Sequence, residues 1–212
     1  MRMRKKHRLE ERTEACERVM VRDAEKMRGK WLEGTQYADL YLELGCGKGL
    51  FTIGLADANP EALIAAIERE PNALLTAMER ASVREHDNIR YLSMDAKRIG
   101  EIFLPGEVSK IFINFSDPWP KYRDADRRLT SPGFLKLYGG LLQDGGEILF
   151  KTDNIPLFEY SLEQMEKAGY ELCEVTNDLH ENGICGVLSD YETRFLKDGI
   201  KINRCVAKKR SV

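Results

Sequence analysis

Leu42-Glu43-Leu44-Gly45-Cys46-Gly47-Lys48-Gly49 is the stretch that decides the fold. An apolar run from Leu40 reads as a strand, three glycines follow at alternate positions, and a helical period begins at Leu50. Glycine lets the backbone turn sharply and approach a ligand closely, while the unpaired N–H groups of the next helix point at that ligand. A plain turn would gain no packing from three such glycines, whose freedom costs entropy on folding. Two phosphate-binding patterns fit poorly: a dinucleotide loop needs glycine where Leu50 stands, and a P-loop needs Ser or Thr where Gly49 stands.

Outward from this turn, short apolar runs alternate with helical periods. Strands are predicted near 40–45, 62–68, 88–93, 108–115 and 145–152, with helices between them, the pattern of a parallel sheet covered on both faces. Tyr170, Leu172 and Val175, then Ile200, Ile202, Cys205 and Val206, predict two late strands forming an antiparallel edge, with a helix beginning near Tyr191 between them. Upstream, Cys16, Met20, Ala24, Met27 and Trp31 recur at three- and four-residue spacing, which predicts one helix ending near Gly34 and packing on the main domain. The expected division is a basic arm and helix over 1–34 and one α/β domain over 35–212.

With 212 residues, 42% hydrophobic and 32% charged, the chain can bury one sizeable core. No apolar run reaches membrane-spanning length, and Met1-Arg2-Met3-Arg4-Lys5-Lys6-His7-Arg8 leads into charge rather than into a signal segment, so a cytoplasmic protein without a membrane partner is expected. The five cysteines and three histidines have no metal-knuckle, redox-pair or nucleophile spacing, so no metal is expected and the thiols read as reduced. A net charge of −2 means that a nucleic-acid partner must meet a local basic patch, and Arg2 to Arg8 and Lys121 to Arg128 supply two.

Four further segments can carry chemistry. Glu68 ends the second strand about twenty residues past the glycines, where an acidic residue accepts both ribose hydroxyls of a nucleoside; its plain alternative is an exposed glutamate. Asp95 follows the third strand, as a reader of an adenine edge or as a helix N-cap. Asn114-Phe115-Ser116-Asp117-Pro118-Trp119-Pro120 ends the fourth strand where open sheets bind ligands, and Lys121 to Arg128 beyond it suits a phosphate backbone or a solvated face. Ser189-Asp190-Tyr191-Glu192 reads as a capping box, or as a carboxylate and a hydroxyl for guanine donors.

Taken together, these residues resemble the bacterial tRNA (guanine-N7-)-methyltransferases over nearly the whole chain. The most specific parts are Asn114 to Lys121 with Arg127-Arg128-Leu129-Thr130, Phe150-Lys151-Thr152-Asp153-Asn154, and Tyr191-Glu192 with Phe195. The resemblance implies a Rossmann-like class I methyltransferase fold: a mostly parallel seven-stranded sheet with an antiparallel edge and helices on both faces. It further implies S-adenosyl-L-methionine as cofactor, held by Glu43, Gly45, Gly47, Gly49, Glu68, Asp95 and Asp117. Lys121, Asp153, Ser189, Asp190, Tyr191 and Glu192 would meet the substrate, Arg123, Arg127 and Arg128 would contact tRNA, and Asp117 would act in catalysis. Tyr122 stands where the family often has a second lysine, and the segment from Lys6 to Val21 is unusually charged.

Guanine N7 has an in-plane lone pair and no proton, so methylation there needs alignment and charge stabilisation rather than a general base. In A-form RNA the N7 edge faces a groove closed to side chains, which favours a base in the tRNA variable loop. Two alternatives stay open on the sequence: a methyltransferase of another substrate, and a non-catalytic RNA-binding protein with a relic cofactor pocket. Either a monomer or a homodimer is compatible.

Overall fold

Strand residues alternate between two hydrophobic layers, and this alternation builds the molecule from the centre outward. Leu40, Leu42, Leu44, Leu63, Ile67, Ile111 and Ile113 face one core cluster, while Tyr41, Ile64, Ala66 and Phe112 face the other. Burial of each leucine, isoleucine or phenylalanine among them is worth about 1.5–3 kcal/mol. The architecture is that of a computed structural model describing residues 7–84 and 86–210.

After a short helix α1 (Leu9–Glu14), the order is β1 (Asp39–Leu44), α2 (Leu50–Ala58), β2 (Ala62–Glu68), α3 (Pro71–Val83), β3 (Ile89–Ser93), α4 (Ile99–Ile102) and β4 (Val108–Asn114). Then come α5 (Pro132–Leu141), β5 (Leu142–Thr152), α6 (Ile155–Lys167), β6 (Glu171–Thr176), α7 (Asp190–Lys197) and β7 (Asn203–Lys208). Among the described residues, seven strands form one sheet in the order β3-β2-β1-β4-β5-β7-β6. The first five are parallel, and β7 runs antiparallel between β5 and β6, so the predicted antiparallel edge is present. The chain leaves β1 towards β2 on one side and returns to β4 on the other. The resulting crevice, at the carboxyl ends of β1 and β4, is where such sheets bind ligands.

Helix starts carry local signals. Pro71, Pro132 and Pro156 stand in first turns, where a missing N–H costs nothing, and Asn154 accepts from Leu157 N at 2.9 Å as the cap of α6.

The single helix predicted from Cys16 to Trp31 is not formed. Residues Glu17–Val19 and Ala24–Met27 make separate 3₁₀ turns, and Met20 pairs with Tyr91 as an extended bridge on the open side of β3. Gly29 adopts φ +77°, where a Cβ would lie 2.6 Å from Leu104 Cδ1, which breaks any helix through it. The burial was read correctly: Cys16, Ala24 and Trp31 are buried, and Trp31 Nε1 donates to Ile102 O at 2.8 Å. Tertiary partners on several elements, rather than one helical face, set the spacing. β5 also starts three residues before its predicted position, because Leu142 already pairs with Val108.

Candidate active site

At the carboxyl ends of β1, β2 and β4 lies a cleft of about 640 Å³, within the usual range of a small-molecule site. Its floor is the glycine turn. Gly45 and Gly47 have φ +80° and +57°, and a Cβ on either would meet nothing within 4 Å, so bare backbone faces the open space. Gly49 differs. It starts α2 at φ +79°, and a Cβ there would lie 2.6 Å from Ala77 Cβ and 3.0 Å from the Tyr91 hydroxyl. The third glycine, expected at the cofactor, is turned inward and serves the packing of α2 on α3.

Two carboxylates end adjacent strands. Glu68 Oε2 accepts from Gly47 N at 3.0 Å and Oε1 from Glu70 N at 2.8 Å, so its carboxylate is locked to the glycine turn while facing the cleft. Glu43, only 2% exposed, accepts from Thr52 Oγ1 at 2.6 Å. Burial pushes its carboxyl up to about 7, the charges of Glu68 and Asp190 add to the shift, and the Thr52 hydrogen bond opposes it. Asp95 also lines the cleft while accepting from Lys97 N at 2.9 Å, so the N-cap and the ligand-facing readings coexist.

The loop after β4 forms the opposite wall. Phe115 and Trp119 have φ +52° and +41°, conformations that side-chain-bearing residues keep only where the surroundings impose them. Phe115 N donates to Lys151 O at 2.9 Å, and its ring stacks on Tyr191 at 5.9 Å between centroids. Asn114 lines the cleft, and its buried Nδ2 has no hydrogen-bond partner among the described residues. Asp117 stands on the rim, 71% exposed, 3.9 Å from Arg69 Nη2.

Ser189-Asp190-Tyr191-Glu192 divides by side. Ser189 and Glu192 make a complete capping box, with Glu192 N donating to Ser189 Oγ and Ser189 N to Glu192 Oε2. Glu192 is fully buried, and its other oxygen accepts from Lys151 Nζ at 2.9 Å with His180 Nε2 3.3 Å away. Asp190 and Tyr191 face the cleft, and Ser189 lines it as well while capping the helix. Asp190 is fixed by Arg80 Nη1 at 2.9 and 3.0 Å, and Arg80 also donates to Lys48 O, so α7 is tied to the glycine turn.

Lys121, Asp153 and Arg123 are exposed and lie outside the cleft wall. Arg127 lines the cleft with its guanidinium over the Trp119 ring. Arg128, expected on RNA, is spent internally: it donates to Pro118 O and Trp119 O and lies over the Tyr160 ring. Arg2, Arg4, Lys5 and Lys6 of the basic start lie outside the described residues. The sequence places Lys151 in a specific motif without giving it a role, and it passes over Arg80. A lysine inside the otherwise apolar end of β5 was a signal for the first; nothing in the spacing marks Arg80, whose partner Asp190 is 110 residues away.

The donor set fits a nucleoside cofactor: bare backbone at Gly45 and Gly47, a fixed carboxylate at the end of β2, and an unpaired buried amide at Asn114. Comparisons with known proteins agree. The model of a family described as a putative methyltransferase matches residues 37–205. A tRNA (guanine-N(7)-)-methyltransferase of Halalkalibacterium halodurans is 44% identical, the match covering 91% of this chain and 89% of that protein. One of Clostridioides difficile is 40% identical over the full length of both. The fold is similar to the crystal structure of the 16S rRNA methyltransferase KamB, with TM-score 0.66 and 19% identity over 89% of this chain and 94% of that one.

Proposed function

This chain belongs to the family of tRNA (guanine-N(7)-)-methyltransferases, and we infer that it transfers the methyl group of S-adenosyl-L-methionine to N7 of a guanine in tRNA. The observation that carries this reading beyond family membership is the fixed Glu68 carboxylate, set over the open backbone of Gly45 and Gly47. Bound there, the cofactor supplies a sulfonium methyl: the N7 lone pair forms the new bond, the old bond's electron pair stays on sulfur, and the positive charge passes to the purine.

The chain's own residues do the rest. Glu68 accepts from the ribose hydroxyls of the cofactor, and Gly45 and Gly47 let it approach the backbone. Asp95 and the amides beside it meet the adenine edge. Asp117 accepts from the N–H donors of guanine and favours the charge that grows on the ring. From the last motif, guanine is met by Ser189, Asp190 and Tyr191, which line the cleft, while Glu192 is buried behind them. Lys121, Arg123 and Arg127 face the tRNA phosphates. A base in the variable loop suits the cleft, since N7 in an A-form stem is closed to side chains. The enzyme acts in the cytoplasm, where its substrate is.

Calorimetry with S-adenosylhomocysteine tests the assignment. Tight binding by the wild type, weakened by about 1.5–3 kcal/mol in Glu68→Ala, is expected. No binding by the wild type would mark a relic pocket, and equal affinity in the variant would remove Glu68 from the site.

A further inference from the structure

Arg127 closes the face of an aromatic ring at the mouth of the cleft. Its guanidinium carbon is 3.5 Å from the centroid of Trp119. The two residues are held unequally. The Trp119 backbone is fixed by Arg128, whose Nη2 donates to the Trp119 carbonyl at 3.0 Å, and its left-handed φ of +41° is a conformation that the surrounding loop holds. Arg127, by contrast, is a half-exposed side chain with a second anchor in reach, Asp124 Oδ1 at 3.7 Å. A ring carried on a held backbone at the ligand cleft is thus covered by a planar cation on a half-exposed side chain.

We propose that Trp119 is the stacking platform for the target guanine, that Arg127 occupies its face until tRNA binds, and that the platform prefers the methylated purine to the unmethylated one. This rests on the reading above that the cleft methylates guanine N7. A base turned out of its stack is recovered by an aromatic face. The guanidinium is a fair stand-in for that base: flat, delocalised and positively charged. Methylation gives the purine ring a positive charge of its own, so the negative face of indole attracts the reacted ring more strongly than the neutral guanine. A contact that strengthens as the charge develops lowers the barrier as well as binding product. Arriving phosphates give Arg127 a stronger partner than the ring, which couples tRNA docking to uncovering of the platform.

Fluorescence isolates the platform, because the chain has two tryptophans and the other, Trp31, is 1% exposed in the core. The enzyme, saturated with S-adenosylhomocysteine, is titrated with guanosine monophosphate and with its 7-methyl derivative, and single-turnover methylation of tRNA is measured for each variant. Both nucleotides should quench the wild type, the 7-methyl form at about tenfold lower concentration. Trp119→Phe should show no quenching and should lose less turnover than Trp119→Leu, as phenyl still stacks. Trp119→Leu should lose about tenfold or more in turnover. Arg127→Ala should quench at lower nucleotide concentration than the wild type. Wild-type production of 7-methylguanosine with an unimpaired Trp119→Leu overturns the platform and leaves the methylation reading intact. A wild type that makes no 7-methylguanosine overturns both. Equal quenching by the two nucleotides overturns the charge preference, and an unchanged Arg127→Ala titration overturns the covering role of Arg127.

Discussion

Glu43 points from β1 towards α2, into the same layer as Tyr41, where a strand of this sheet would ordinarily place an apolar side chain. Its cost depends on pH. The unfolded chain titrates this group near 4.5 and the folded chain at about 7, so between those values the folded state binds more protons. Its contribution to stability is fully present below pH 4.5 and is lost as pH rises to about 7, a swing of about 3 kcal/mol. Glu43→Gln stays neutral at every pH and keeps an acceptor for Thr52. Urea midpoints of the wild type should therefore fall relative to those of Glu43→Gln between pH 5 and 7, and parallel curves would contradict the shift. Asp117 is the opposite case, a carboxylate exposed on the rim of the cleft, which the proposed contact with guanine would take out of water. Asp117→Asn keeps size and polarity but removes the charge, so single-turnover methylation should fall about a hundred- to a thousandfold. The wild-type rate should not climb between pH 6 and 8, since N7 has no proton for a base to remove. A normal rate in the variant would dismiss the charge role.

Between elements, the buried pair of Lys151 on β5 and Glu192 on α7 decides where α7 sits. Lys151 Nζ is hydrogen-bonded to Glu192 Oε1 and to Val187 O, and Arg80 on α3 holds Asp190 from the other side. Removing one partner strands a charge, so Lys151→Met and Glu192→Met should each cost about 3–5 kcal/mol, with the double variant costing clearly less than the sum. Urea unfolding measures this, and additive losses would show that the two are not coupled. The same elements show how far sequence reaches. All five parallel strands and the antiparallel edge were legible, because period-two burial and helical periods are written in neighbouring residues. The predicted N-terminal helix does not form, because Met20 finds its partner on β3 and Trp31 on α4, at distances no local period reports. The capping box was legible as a box, but not the burial of Glu192 behind it.

For the whole molecule, the charge balance means that any RNA would be met by a local basic patch. A net charge of −2 coexists with the exposed cations Lys121, Arg123 and Arg127 beside the cleft, and the sheet sets them next to the carboxyl ends of β1 and β4. That Gly45, Gly47, Glu68, Asp95 and Asp117 would line one cleft was legible because the switch point of such a sheet gathers the ends of distant strands, whereas the inward turn of Gly49 was not. Arg128 was not, since its place behind Pro118 and Trp119 is a property of the folded loop. The reaction assigned to this cleft is the placing of one methyl group on guanine N7 in tRNA. Mass spectrometry of chromatographically resolved nucleosides from unmodified tRNA, incubated with the enzyme and S-adenosyl-L-methionine, reads it directly. 7-Methylguanosine should be the new product, with none formed when cofactor is left out; a methyl group on any other atom, or no methylated nucleoside at all, would rule the assignment out.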